Sequence, residues 1–117
     1  MPHRGELWLA NLDPQAGTEP GKTRPVLIVQ AQALLDAGHP STIVIPLTTN
    51  LVEAAEPLRI RVARMGRLRD DSDLLIDQLR AIDNRRLVGA SLGRVPQALM
   101  LIVEDALREI LQLEEVA

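Results

Sequence analysis

Two short apolar runs rich in β-branched residues, RPVLIVQ at 24–30 and TIVIPLT at 42–48, constrain the fold of this chain more than any other feature. Each is too short for an ordinary helix and carries the Val and Ile that suit a pleated surface, so both read as buried strands. Pro46 has no N–H to give to a ladder, which places the second strand at an edge or a bulge. Glu6 to Leu12 reads as an earlier strand closed by Pro14, with Trp8 in the core. Leu58 to Val62 alternates apolar residues with Arg, the half-buried pattern. Residues 74–82, LLIDQLRAI, continue the sheet, and Leu92 to Val95 adds a short strand. Ala31 to Gly38 makes one or two helical turns that Gly38 and Pro40 end.

Pro96 starts a helix that runs through about Glu115, since proline suits a first turn. Its stripe of Leu99, Ile102, Val103, Ala106, Ile110 and Leu113 has helical period and faces a core. Met100, Leu107 and Leu111 widen the stripe, which fits a broad core face or, less simply, a helix packed on both a sheet and a partner. Short strands closed by one helix imply an α+β fold: a small, SH3-like twisted β-barrel with a C-terminal α-helix. With 117 residues the chain supports one core, so 1–117 reads as a single domain. At 46% hydrophobic and 25% charged, its composition is that of a globular protein. The absence of cysteine rules out disulfides, thiolate metal sites and a thiol nucleophile. No signal-like or membrane-length apolar run is present, so the expected compartment is the cytoplasm.

A net charge of -3 argues against a nucleic-acid partner until its distribution is considered. Residues 1–56, 57–94 and 95–117 carry -3, +4 and -4. The middle segment holds nine arginines and no lysine, and the guanidinium fork matches phosphate better than an ammonium does. Solvated strand faces explain the same residues equally well.

Several chemistries fall away on inspection. Gly17, Gly21, Lys22 and Thr23 resemble a phosphate-cradling loop, but the glycine spacing is one residue short and a strand follows instead of a helix. Asp70, Asp71, Asp73 and Asp77 lack the glycine and terminal Glu of a calcium loop and read as a solvated turn. His3 and His39 are the residue type for acid/base cleavage of RNA, yet nothing in the sequence brings them together. What remains is a set of polar residues near predicted strand ends: Glu19, Arg24, Thr48, Thr49, Ser72 and Gln78. Each has an ordinary structural reading. Arg24 can pair with Glu19, Thr48 and Thr49 can be plain strand threonines, and Gln78 can satisfy a sheet edge.

Taken with their neighbours, these residues form blocks that resemble a known family. The run RGELWLANLDPQAGTEPGKTRPVLIVQ is similar to the N-terminal signature of MazF/PemK toxins, with Gly, an acidic residue and an aromatic, then DP-x-x-G-x-E and RPV before a strand. TIVIPLTT resembles the family's strand ending in Pro-x-Thr-Thr. DLLIDQLRAIDNRRLVGASLGRV resembles its acidic-Gln-hydrophobic-Arg-x-Ile-Asp segment. The likeness spans nearly the whole chain, and the loop from Asn50 to Pro57 is its least constrained part.

The resemblance implies the toxin of a type II toxin-antitoxin system, an endoribonuclease that cuts single-stranded mRNA sequence-selectively. Attack by the substrate's own 2′-hydroxyl leaves a 2′,3′-cyclic phosphate and a 5′-hydroxyl, with no metal or other cofactor. Carried over residue by residue, Arg24 and Thr48 are the catalytic pair and Glu19 is an alternative base. Thr18, Lys22, Thr49, Ser72, Gln78 and Arg80 are the RNA-binding residues. Aromatic side chains usually stack unpaired bases, but Trp8 is the only one here. Base-edge hydrogen bonding and arginine planes are therefore expected in their place. The resemblance further implies a homodimer and a cognate MazE-like antitoxin that lays an acidic tail along the groove. Two other classes share the fold: a toxin that poisons DNA gyrase by binding it, and a non-catalytic RNA- or antitoxin-binding module.

Overall fold

The computed structural model describes residues 1–114. Its elements are β1 (Glu6–Asn11), β2 (Thr23–Ile28), α1 (Gln32–Asp36), β3 (Ser41–Thr48), β4 (Arg59–Val62), β5 (Ser72–Leu75), β6 (Arg80–Asp83), β7 (Leu87–Arg94) and α2 (Gln97–Leu111). Short 3-10 turns occupy Ile76–Gln78 and Asn84–Arg86. All pairings are antiparallel. The sheet runs β4-β5-β3-β2-β1-β7, with β6 also on β3. The fold is therefore α+β, as the strand pattern implied. The expected barrel is a twisted sheet without a closing ladder. Between its ends, Arg67 N–H donates to Leu92 O at 2.7 Å in place of a ladder. Gly66 is required at that contact: its φ is +52°, and a Cβ would sit 2.5 Å from Leu92 O.

Side-chain alternation puts apolar residues on both sheet faces. Leu7, Leu27, Ile45, Leu47 and Leu74 pack with Met100, Val103 and Ala106 of α2. Trp8, Ala10, Val26, Ile28 and Val44 form a second cluster on the other face, with Leu12, Leu35 and Ile82. The central strand is thus buried on both sides, which explains the continuous apolar run at 42–48. Pro46 sits neither at an edge nor at a bulge. Along one side of β3, Ser41–Val44 pair with β6 and Leu47–Thr48 pair with β5, so Pro46 falls at the handover, where that side has no ladder partner.

Residues 74–82 are not one strand. The 3-10 turn at Ile76–Gln78 divides them, so that β5 serves the C-terminal end of β3 and β6 its N-terminal end. β7 is twice the expected length, because Gly89, Ala90 and Gly93 conceal its pattern. On α2, Met100 and Leu107 belong to the core, whereas Ile102 and Leu113 are exposed. The helix stops at Leu111, with Gln112 in the left-handed region, so Leu113 lies past its end; the expected limit at Glu115 falls outside the described residues. No described helix is long and apolar enough to cross a membrane.

Candidate functional site

β2 and β3 pair through Val26↔Pro46, Leu27↔Ile45 and Ile28↔Val44. Continuing that register by two residues sets Arg24 opposite Thr48 on one sheet face, the face of Val26 and Val44. Residues 24 apart in sequence thereby become cross-strand neighbours. The guanidinium of Arg24 is half-buried and held at two points, Nε donating to Gly21 O at 2.9 Å and Nη1 to Leu47 O at 3.3 Å. Nη2 has no partner among the described residues. The Thr48 hydroxyl oxygen accepts the Asn50 N–H at 3.2 Å, which leaves its own hydrogen free to donate.

Both side chains line a cleft of about 340 Å³ together with Lys22, Thr49, Asn50 and Ser72. Among the described residues that line it, none is a carboxylate. A neighbouring, more apolar cavity of about 570 Å³ shares Pro25, Thr49 and Ser72 with it and adds Leu9, Leu68 and Leu92 below Arg67 and Arg69. A third, of about 710 Å³, shares Thr49 and is lined by Arg64, Arg69, Asp70 and Asp71. The three form a groove along the ends of β2, β3 and β5.

The structure gathers Lys22, Arg24, Thr48, Thr49 and Ser72 in one place and leaves the other expected residues apart. Ser72 is buried, and its hydroxyl donates to Asp70 O at 3.0 Å. Glu19 does not pair with Arg24; it stands 3.9 Å from Arg80 Nη1 and is half exposed. Arg80 is opposite Val44, so this pair lies on the same sheet face as Arg24 and Thr48, toward the other end of β3. Thr18 is exposed on the β1–β2 loop. Gln78 closes the 3-10 turn, half-buried, and its amide has no partner among the described residues.

That loop is fastened at its base. Leu12 N–H donates to Lys22 O at 2.8 Å, Lys22 N–H to Asp13 Oδ1 at 2.6 Å, and Arg86 Nη1 to the carbonyls of Asn11 and Asp13 at 2.9 and 2.6 Å. Gly21 allows the close approach, since a Cβ there would meet Gln15 Cβ at 2.7 Å. The bond from Lys22 N–H to Asp13 also removes it from any phosphate-cradling role.

Sequence reasoning missed Asp73. Read as part of a solvated turn, its side chain is only 2% exposed. It accepts from Arg61 Nε at 2.7 Å, Val52 N–H at 2.9 Å and Arg59 Nη1 at 3.4 Å. Burial pushes its carboxyl up, but the hydrogen bonds from Arg61, Val52 and Arg59 outweigh it, and the group is held below the usual carboxylate range. The signal was available: Arg59 and Arg61 alternate along β4, and an acidic residue between Ser72 and Leu74 is the carboxylate that such a pair requires.

Residues 3–111 match the family model described as PemK-like, MazF-like toxin of type II toxin-antitoxin system. The chain belongs to that family. Endoribonuclease MazF of Staphylococcus epidermidis is 33% identical over 111 residues, covering 92% of this chain and 88% of the relative. MazF from Deinococcus radiodurans superposes with a TM-score of 0.78 at 25% identity, over 95% of this chain and 96% of that one. A mycobacterial endoribonuclease solved in complex with its cognate antitoxin gives a TM-score of 0.72 at 23% identity, covering 98% and 97% of the two chains. As a PemK/MazF toxin, the chain has the sheet and C-terminal helix of these relatives, and the DP-x-x-G-x-E, RPV and PLTT blocks flank its cleft.

Proposed function

We propose that this toxin is a metal-independent endoribonuclease that cleaves single-stranded RNA in the cleft between β2 and β3. The observation that carries this reading is the pair of free donors, Arg24 Nη2–H and the Thr48 hydroxyl, on cross-strand neighbours facing one cleft. Cleavage begins when the 2′-oxygen attacks the adjacent phosphorus. The bond to the 5′-oxygen then breaks and that oxygen takes a proton from solvent, leaving a 2′,3′-cyclic phosphate and a 5′-hydroxyl. Negative charge grows on the non-bridging oxygens of a five-coordinate phosphorus, and the two donors stabilise it where it develops. A guanidinium stays protonated near neutral pH, so Arg24 acts as a charge stabiliser rather than a base. With no carboxylate lining the cleft among the described residues, the 2′-hydroxyl proton passes to solvent, and Glu19 serves the loop through Arg80.

Lys22 and Thr49 contact the RNA beside the scissile phosphate, and Ser72, buried with its hydroxyl on Asp70 O, shapes the floor of the cleft beneath it. Thr18, Gln78 and Arg80 border the strand farther along the same loop and turn. Arg64 and Arg69 supply guanidinium planes for unpaired bases, since the single Trp8 is buried with its Nε1 on Glu6 Oε1 at 3.2 Å. The working form is a homodimer in the cytoplasm, held silent by a MazE-like antitoxin whose acidic tail occupies the arginine-lined groove. A toxin that only binds gyrase, or a non-catalytic module, has no need of two free donors converging on a cleft.

Incubating the purified protein with a long RNA in excess chelator tests the reading. Discrete fragments with 5′-hydroxyl ends are expected from the wild type. Intact RNA, or cleavage abolished by the chelator, would remove the enzyme or its metal independence from the account.

A further inference from the structure

The three donors on the buried Asp73 carboxylate come from two different segments. Arg59 and Arg61 belong to β4, while Val52 N–H belongs to the loop that leaves β3 directly after Thr48. Arg59 Nη1 also donates to Asn50 O at 2.8 Å. Asn50 N–H in turn donates to Thr48 Oγ1 at 3.2 Å. Thr48 and Asp73 are themselves ladder partners across β3 and β5. The carboxylate thus reaches Thr48 by two routes, the ladder rung and a chain running through Arg59 and Asn50.

We infer that Asp73 is a positioning residue: it pins the 50–52 segment so that Asn50 N–H occupies the Thr48 hydroxyl oxygen and turns the hydroxyl hydrogen into the cleft. The inference rests on the reading of Thr48 as a donor to the reacting phosphate. A threonine hydroxyl rotates freely unless a neighbour fixes it. A donor in a phosphate site acts best when already oriented before charge develops. Strand packing alone calls for nothing charged at position 73, because Leu74 and Ile76 supply the core contacts. Burial of a carboxylate is tolerated only because all three donors converge on it. With its side chain 2% exposed and both oxygens already accepting, Asp73 faces the loop and β4 rather than the cleft.

The test is a double-mutant cycle on single-turnover cleavage at saturating RNA, with Thr48→Val and Asp73→Asn made singly and together. Asp73→Asn alone is expected to slow cleavage on the order of 10- to 100-fold through misplacement of the donor, with half-saturation changed by no more than about twofold. In the Thr48→Val background the same substitution is expected to add less than about twofold, because the group it positions is gone. Amide exchange at Asn50 and Val52 should quicken in Asp73→Asn while exchange in β1 and β2 is unchanged. Arg59→Gln, which releases Asn50 O but keeps the Arg61–Asp73 pair, should reproduce the loss of rate if Asp73→Asn folds poorly. Equal losses in both backgrounds, or wild-type rates for Asp73→Asn or Arg59→Gln, would overturn the inference alone. Wild-type cleavage by Thr48→Val would overturn the reading of Thr48 and the inference with it.

Discussion

The two loops that flank the cleft are built on opposite principles. The β1–β2 loop is clamped at its base by Asp13, Lys22 and Arg86, and residues 13–19 between are exposed, with Glu19 on Arg80 as a side-chain tether. The β3–β4 loop is held along its first half by the buried Asp73 carboxylate, which accepts the Val52 N–H, and by Arg59, which donates to Asn50 O. One wall is tied down only at its base and by one tether, and the other is fixed beside Thr48. Few buried contacts and an exposed backbone mark the first loop as the segment of lower local stability, and on the proposed reading the second is the wall that holds the reacting group.

The largest effect should come from the residue between the two walls. Arg24→Ala is expected to lower cleavage by about 10²- to 10³-fold, the usual consequence of deleting a preorganised donor, with a melting temperature close to wild type. Assay of cleavage beside a thermal melt checks it; a protein that melts early would make Arg24 a structural bridge between Gly21 and Leu47 instead. Next comes the fixed wall. Asp73→Ala should cost about 2–3 kcal/mol in denaturant unfolding, less than a fully buried pair because both arginines are partly exposed. Thr18→Ala on the other wall should fall within about 0.5 kcal/mol. Equal losses would erase the contrast between the loops.

Acid should reveal the same contrast. The Asp73 carboxyl titrates below its ordinary value of 3.8 in the folded chain, so the unfolded chain binds its proton more tightly. Its contribution is complete above the ordinary range and declines as pH falls through the folded value. The stability difference between wild type and Asp73→Asn should therefore narrow below about pH 4, as read from unfolding curves at a series of pH values. A difference constant from pH 7 to pH 3 would place the effect elsewhere. The smallest change is expected for Glu19→Gln. With its carboxylate half exposed and 3.9 Å from Arg80, it should cost under about 1 kcal/mol and slow cleavage by less than about tenfold. A loss matching that of Arg24→Ala would make Glu19 the base.

The sheet was legible wherever its residues carry a strand pattern of their own. β2 and β3 declare themselves through runs of Val and Ile, β4 through its alternation. β7 does not, because Gly89 and Gly93 sit there at positive φ and Ala90 and Ser91 add no β-branched or apolar alternation. Nor does the break at Ile76–Gln78, where LLIDQLRAI keeps an apolar pattern across a turn in the chain. The blocks around Arg24 and Thr48 could be named from their order in the sequence, but their pairing is a matter of register across 24 residues, which a local pattern does not contain. Asp73 was misread because three neighbouring aspartates made it look like one of a solvated set, while its partners Arg59 and Arg61 stand 14 and 12 residues away. Ile102 kept the helical period of the core stripe yet faces outward, beside the Glu56–Pro57 segment at a small cavity.

Attack by the 2′-oxygen at the cleft of Arg24 and Thr48 is the centre of this account, and one substrate tests it most directly. An RNA oligonucleotide known to be cut by the protein is resynthesised with a single 2′-deoxynucleotide on the 5′ side of the scissile phosphate, and both are incubated with the wild type. The account predicts that the substituted strand stays intact at that position while the all-ribose strand is cleaved. Cleavage of both at equal rates would contradict it and assign the attack to water.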